Sequence, residues 1–447
     1  MTAITSFGRL IITYLALTAL ILDPQNPRRH SPRQIRQIAW SIKAFGFAVP
    51  ILIDCHNKIV AGHGRFLAAQ FLGLIEVPVI RLEYLTTAQA KAFMIADNRL
   101  TEASVWDDRL LAESLKELSE QDLHFSIEAT GFTVGEIDLR IEGLMTTGEH
   151  EPDVADRLPT VTSQFAISKS GDIWHLGRHA LLCGSALLEE SFRALLGIKR
   201  AQMVFADPPY NIPIQGNTSG HGRIQYREFT MAVGELDAVE FTSFLTRCCA
   251  LMARYSIDGS IHFLCMDWRH VAELLEAGRL AYAELKNFCV WDKGSGGLGS
   301  FYRSEHEFVL VFKHGSASHR NNLQLGRYGR NRTNVWHYPR VSSFGRQSEE
   351  GHLAAMHPTL KPVAMVVDAI LDCSARGDIV LDPFLGGGTT LIAAERVGRC
   401  CYGLEIDPLY VDTIIRRWQA FTGDTATHAV TGKRFEDLAS EMDARRG

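Results

Sequence analysis

The sequence predicts an α/β protein: a mostly parallel sheet with helices on both faces, preceded by a small α/β module and a helical segment. Three observations predict this. Between residues 161 and 439 short apolar runs alternate with helix-like stretches, the pattern of strands joined by crossover helices. Residues 1–85 carry strand, helix and turn signals at shorter spacing, and residues 86–145 carry apolar residues at helical period only.

In the first module a turn is expected over Asp23–Pro27, a helix over Pro32–Ala44 and a strand over Ile51–Asp54. The stretch Ile59-Val60-Ala61-Gly62-His63-Gly64-Arg65 then leads into a helix over Phe66–Leu72 and a strand over Val77–Leu82. Ala88–Leu100, Asp107–Leu118 and Val134–Leu144 read as amphipathic helices. Residues 146–160 are polar and acidic, hold Pro152 and Pro159, and read as a linker. In the third segment, strands are expected at Met203–Ala206, Ser260–Met266, Asn287–Trp291, Glu307–Phe312, Ile379–Asp382 and Cys400–Ile406. Helices are expected at Leu236–Tyr255 and Pro362–Cys373.

The composition, 46% hydrophobic and 22% charged, excludes a disordered chain. The net charge of -5 excludes a uniformly basic nucleic-acid coat, so any such contact needs a local basic surface. None of the nine cysteines falls in a Cys/His spacing that suits zinc, so no metal is expected. Free thiols are expected in a reducing cytoplasm. The apolar run Leu10–Leu22 is too short to span a membrane, and Asp23-Pro24-Gln25-Asn26-Pro27 follows it instead of a small-residue cleavage site. A buried strand or strand pair is expected over Ile11–Ile21, and no membrane contact.

Two loops carry the chemistry. The strand Ile379–Asp382 runs into Pro383-Phe384-Leu385-Gly386-Gly387-Gly388-Thr389-Thr390 and then a helix to Arg396. Glycines at a strand-to-helix turn let the backbone approach a ligand beside the free N–H groups of the helix start. Glu405, 19 residues past Gly386, ends the next strand, where an acid can accept from ribose hydroxyls. A Gly-Lys-Ser/Thr ending is missing, which argues against a P-loop.

The second loop, Asp207-Pro208-Pro209-Tyr210-Asn211, follows the strand Met203–Ala206. Its two prolines stiffen the turn and leave carbonyls without competing donors. The Asp207 carboxylate and the Pro208 carbonyl can accept both hydrogens of an exocyclic amino group and favour a pyramidal nitrogen. Tyr210 offers a face on which a flipped base can stack. A sulfonium methyl placed in line would be the electrophile. The bland alternative is a stiff turn after a strand.

These loops resemble those of the DNA amino-methyltransferases. Asp382–Thr390 is similar to their cofactor loop, Asp207–Tyr210 to their catalytic loop, His357-Pro358-Thr359-Leu360-Lys361-Pro362 to the motif ahead of the cofactor loop, and Ser304-Glu305-His306-Glu307-Phe308 to a further family segment. The order, catalytic loop first, resembles the permuted β group. The resemblance spans about residues 161–439 and implies a Rossmann-like, S-adenosylmethionine-dependent methyltransferase domain. It implies that Asp207, Pro208, Pro209 and Tyr210 are catalytic. It also implies that Asp382, Phe384, Gly386, Gly387, Gly388 and Thr389 surround S-adenosylmethionine, with Glu405 on its ribose and His357 and Lys361 at the amino-acid end. Ser185 stands where relatives read an Asp after Gly, and Gly387 where many have Ser.

Asn26-Pro27-Arg28-Arg29, Ile59–Arg65, Val77-Pro78-Val79-Ile80 and Ala96-Asp97-Asn98-Arg99 resemble a ParB-like domain. That implies a nucleotide or DNA contact at Gly62, His63, Gly64 and Arg65; a purely structural module is the alternative.

Residues 313–346 hold one Lys and six Arg and no Asp or Glu, a charge of +7 with His neutral. Phosphates reward such clustering, and Arg and Asn read base edges. DNA contacts are expected at Arg327, Arg330, Arg332 and Asn334, within a target-recognition insert of about 313–350. The expected partners are DNA, a nucleotide at the first module and a second copy of the chain as a homodimer. Adenine N6 is the expected target, because Asp rather than Ser stands at position 207. The rivals are cytosine-N4 methylation, a DNA-binding protein with an inactive methyltransferase domain, and methylation of protein glutamine or RNA bases.

Overall fold

The computed structural model describes residues 10–103, 106–121, 123–143, 154–156, 165–211, 235–294, 302–323, 332–339 and 360–444. The contacts divide the chain into two units, residues 1–146 and 147–447.

The first unit runs β1 (Ile12–Ala16), α1 (Pro32–Phe45), β2 (Ile51–Ile53), β3 (Ile59–Ala61), α2 (His63–Leu72), β4 (Glu76–Arg81), α3 (Thr87–Ala103), α4 (Asp108–Glu120) and α5 (Val134–Gly143). Its sheet has the order β1-β4-β2-β3. Ile51, Ile53, Ile59, Phe66, Val77 and Val79 form its core. Ser31 caps α1, accepting from the Gln34 N–H at 3.2 Å, and Pro32 supplies a preset first residue.

The expectation of a buried strand over Ile11–Ile21 needs correction. β1 is an edge strand of five residues, and Ile11, Ile12 and Tyr14 are exposed. An edge strand packs one face only: Leu15 and Leu17 lean on the core and Leu20 enters it.

The second unit begins with β5 (Ile173–Leu176), β6 (His179–Cys183), α6 (Glu189–Leu196), β7 (Ala201–Ala206), α7 (Ala238–Arg254), β8 (Ser256–Met266) and α8 (Val271–Ala281). It continues with β9 (Glu284–Asp292), β10 (His306–Lys313), β11 (Val335–His337), α9 (Val363–Cys373), β12 (Ile379–Asp382), α10 (Thr389–Arg396) and β13 (Cys400–Glu405). It ends with α11 (Pro408–Thr422), β14 (Thr427–His428) and α12 (Phe435–Ala444). The sheet order is β11-β9-β10-β8-β7-β12-β13-β6-β5-β14.

The five central strands, β8-β7-β12-β13-β6, are parallel. The β8-β10-β9 and β6-β5-β14 flanks are antiparallel, and the two residues between β5 and β6 leave room only for a hairpin. Met203 and Phe205 enter one core and Val204 and Ala206 the other, so β7 is covered on both faces.

The connections fix where a ligand can sit. From β7 the chain passes through α7 to β8 on one side; from β12 it passes through α10 to β13 on the other. The order therefore reverses between β7 and β12. The crevice beyond the carboxyl ends of strands at such a reversal is where open α/β sheets bind ligands. The loops that follow β7 and β12, at Asp207 and Pro383, both leave the sheet there. Among the described residues, no helix is long and apolar enough to cross a membrane.

Candidate active site

Asp207 follows the last residue of β7, and both of its carboxylate oxygens are engaged. Oδ2 accepts from the Lys361 ammonium at 2.5 Å, and Oδ1 from the Tyr210 hydroxyl at 2.6 Å. The same hydroxyl lies 3.1 Å from Glu307 Oε2, and Lys361 reaches that oxygen at 3.2 Å. Lys293 donates to the other oxygen, Oε1. Two carboxylates and two ammonium groups thus form one buried network around the tetrapeptide. Burial pushes the Asp207 carboxyl above its usual range and the Glu307 charge adds to this, while Lys361 opposes it. Burial would also raise Glu307, but Lys361 and Lys293 outweigh it and draw Glu307 down to about 2. Lys361 is held well above its ordinary value, because Asp207 and Glu307 outweigh the burial that lowers it.

Lys361 was expected at the amino-acid end of the cofactor. The segment ahead of α9 sets its ammonium against Asp207 and Tyr210 of the Asp-Pro-Pro-Tyr turn. Pro208 is buried, and Tyr210 packs against both cores of the unit. His357 lies outside the described residues.

The second loop is braced by its own acids. Asp382 Oδ1 accepts from the Phe384 N–H at 2.9 Å, and Oδ2 from the Thr390 hydroxyl at 2.6 Å. Glu405 Oε2 accepts from the Gly386 N–H at 2.8 Å, and Oε1 from the Asp407 N–H at 2.9 Å. Burial raises both acids to about 7. Gly388 has φ 82°, and a Cβ there would sit 3.1 Å from Ile414. Gly386 is left-handed too, at φ 53°. Arg417 of α11 ties down the outer side, donating to the Gly387 carbonyl at 2.6 Å and lying 3.5 Å from the Thr389 hydroxyl. Phe384 is half-buried, with its ring 6.4 Å from that of Phe244. At Ser185 the hydroxyl accepts from the Leu187 N–H at 3.2 Å and shapes the turn after β6.

This donor set fits S-adenosylmethionine better than a phosphate ligand. A carboxylate has about four acceptor sites; Asp382 spends two on the loop, Glu405 spends one on the loop and one on Asp407, and both keep others for hydroxyl or ammonium donors. Two acids at the glycine turn repel phosphate.

Arg332 departs from the expected DNA contact. Its side chain is 13% exposed, lies 3.0 Å from Asp368 and 3.5 Å from Asp372 of α9, and sits over the Trp336 ring. Two acids on one helix face draw it inward. Asn334 is exposed, and its amide donates to the Phe288 carbonyl at 3.2 Å. Arg327 and Arg330 lie outside the described residues.

In the first unit, Gly62 has φ 102° and starts α2. His63 is buried, its Nε2 has no partner among the described residues, and burial lowers its pKa. Gly64 packs so closely that a Cβ would sit 2.9 Å from Ile38. Arg65 donates to the Pro50 carbonyl at 3.2 Å.

Sequence reasoning assigned no role to Lys293 or Arg417, and quoted Glu307 only within a family-like segment. Lys293 had a faint signal: a cation two residues past the apolar run Phe288–Trp291. Arg417 lies in a helix whose other face is apolar, and nothing in its spacing marks it.

An Asp-Pro-Pro-Tyr turn and a glycine turn at the reversal point of a parallel sheet define an α/β ligand-binding protein with an acceptor-bearing reaction loop. A DNA methylase family model of the N6/N4 type matches residues 201–416, and a ParB N-terminal domain model matches residues 1–98. Residues 201–416 are thus a DNA methylase domain of the N6/N4 type, and a ParB N-terminal domain precedes it.

Among its relatives, the type II methyltransferase M.ScaI of Streptomyces caespitosus is 39% identical over 98 residues, 22% of this chain and 32% of that protein. The DNA adenine methyltransferase YhdJ of Escherichia coli K12 is 41% identical over 95 residues, 21% of this chain and 29% of that protein. The ParB-like nuclease domain-containing protein YnaK of Escherichia coli K12 is 46% identical over 81 residues, 18% of this chain and 93% of that protein. The chain therefore spans about a third of the two methyltransferases it matches.

Proposed function

We propose that the chain is a DNA methyltransferase that modifies the exocyclic N6 of adenine in a flipped-out base, with S-adenosylmethionine as methyl donor. The observation that carries this reading is the placement of the Asp207–Tyr210 turn and the Gly386–Gly388 turn at the carboxyl ends of the adjoining strands β7 and β12. Asp382, Phe384, Gly386–Thr389 and Glu405 would hold the donor.

When bound, the sulfonium supplies the methyl group: the amine lone pair forms the new N–C bond and the C–S electron pair stays on sulfur. An aromatic amine is a weak nucleophile because its lone pair is delocalised. Asp207 and the Pro208 carbonyl accept its hydrogens and draw it toward a pyramidal form. Positioning of this kind can contribute roughly 7–11 kcal/mol. The methylated nitrogen must lose a proton, and Asp207, raised above the ordinary carboxyl range, is the base within reach. Tyr210 is anchored through its hydroxyl, which presents its ring at a fixed angle for stacking.

Asp at position 207 favours adenine over cytosine, and one matched relative is named as an adenine enzyme. Methylation-sensitive sequencing of DNA from cells expressing the protein tests the reading. N6-methyladenine in one sequence context supports it. N4-methylcytosine moves the assignment to the other exocyclic amine, and unmodified DNA removes it. The turn at Gly62–Arg65 is proposed as a nucleotide or DNA contact, read by calorimetry with nucleoside triphosphates on the wild type and Arg65→Ala. Light scattering tests the homodimer.

A further inference from the structure

Glu307 has no part in the chemistry described so far, yet its surroundings are built around it. Lys361, Glu307 and Lys293 are 4%, 7% and 7% exposed. Buried ion pairs seldom stabilise a fold more than apolar packing of the same volume. Four charges beside a reaction loop therefore call for a role besides stability. The geometry shows which one. Glu307 Oε2 is 3.2 Å from the Lys361 ammonium and 3.1 Å from the Tyr210 hydroxyl. These two groups are also the donors to Asp207, at 2.5 and 2.6 Å.

Resting on the methyl-transfer reading, we propose that Glu307 is a positioning residue that aims the Lys361 and Tyr210 donors at Asp207 and, by its own charge, makes Asp207 a better proton acceptor. In the step concerned, the N–H bond of the methylated amine breaks, its electron pair stays on nitrogen, and the proton passes to an Asp207 oxygen. Water takes it after the product leaves.

The groups facing Asp207 come from every neighbouring element. Lys361 precedes α9, Tyr210 is on its own loop, Glu307 is on β10 and Lys293 follows β9. Cys265 of β8 is buried and held as a neutral thiol. Asp382 ends β12 and is half-protonated near neutral pH. Glu307 is thus the anion that stays charged across the working range, and it raises Asp207. Lys293 counters part of that charge.

The test uses the full chain, with two readouts. One is the pH profile of kcat for methyl transfer to DNA. The other is the titration of the Asp207 carboxyl by 13C NMR, with its signal assigned by its loss in Asp207→Asn. Glu307→Gln is expected to lower kcat about tenfold or more while KM for the donor stays within about threefold. It should also move the Asp207 titration and the acid limb of kcat to lower pH by roughly one unit. Lys293→Gln should move both to higher pH, and it carries the test alone if Glu307→Gln does not fold. An active wild type whose Asp207 titration is unmoved in the variants overturns the inference and leaves the methyl-transfer reading standing. A wild type that transfers no methyl group overturns that reading and the proton-acceptor role with it. The NMR shifts then still decide whether Glu307 sets the charge of Asp207.

Discussion

Lys361 Nζ lies 2.5 Å from Asp207 Oδ2, across 154 residues of sequence. This contact makes one site of two motifs that the sequence separates. The Asp207–Tyr210 turn is therefore held by a side chain from the segment that leads into α9.

Asp207→Ala is expected to fold, because Lys361 keeps Glu307 as a partner. Methyl transfer should fall by roughly 10²-fold or more, the scale on which acid–base groups act. Donor affinity by calorimetry should change less than about threefold, since Asp207 is outside the glycine turn. Retained activity would sink the mechanism.

Lys361→Met should behave differently. It strips the shared cation from two buried carboxylates, and breaking a buried pair costs roughly 3–5 kcal/mol. Urea unfolding reads this as a lower midpoint at pH 7. The loss should shrink in acid, where Asp207 protonates.

Asp382 and Glu405, both raised to about 7, give a stability trend opposite to that of an ordinary salt-bridged acid. The folded, ligand-free chain keeps protons on them up to about pH 7, while the unfolded chain has lost them by about 4. Their contribution is therefore full below that value and declines as pH rises to about 7. Unfolding at pH 5 and pH 8 should show a smaller decline in Glu405→Gln than in the wild type. Donor affinity should run the other way, rising with pH as the acids ionise and accept from the ligand.

Gly388→Ala places a Cβ at φ 82°, 3.1 Å from Ile414. Backbone strain of this kind costs roughly 1–3 kcal/mol. The melting temperature should fall, and donor affinity should drop about tenfold or more as the turn shifts. A donor affinity equal to wild type would show that the turn does not shape the site.

Arg332→Ala separates packing from DNA contact. Its ion pairs to Asp368 and Asp372 predict lost stability with an unchanged salt dependence of DNA binding. Charge reversal at Arg327 and Arg330 is expected to weaken DNA binding and flatten its salt dependence. Similar salt slopes for all three variants would reject this division.

The sequence alone determined the alternating α/β pattern, the strand Ile379–Asp382 to the residue, and the Asp-Pro-Pro-Tyr and glycine turns that follow two of the strands. These are local signals: apolar runs buried on both faces, prolines that stiffen a turn, glycines that allow positive φ. It also marked Leu10–Leu22 as apolar, but placement at a sheet edge left most of that run exposed. Only the tertiary structure decided that Lys361 serves Asp207, that Arg332 turns toward α9, and that Glu307, Lys293 and Arg417 belong to the site. A charge in a sequence has no partner until strand order brings one within a few ångströms. Burial then decides whether that charge stays paired, titrates near neutrality or reaches out to a ligand.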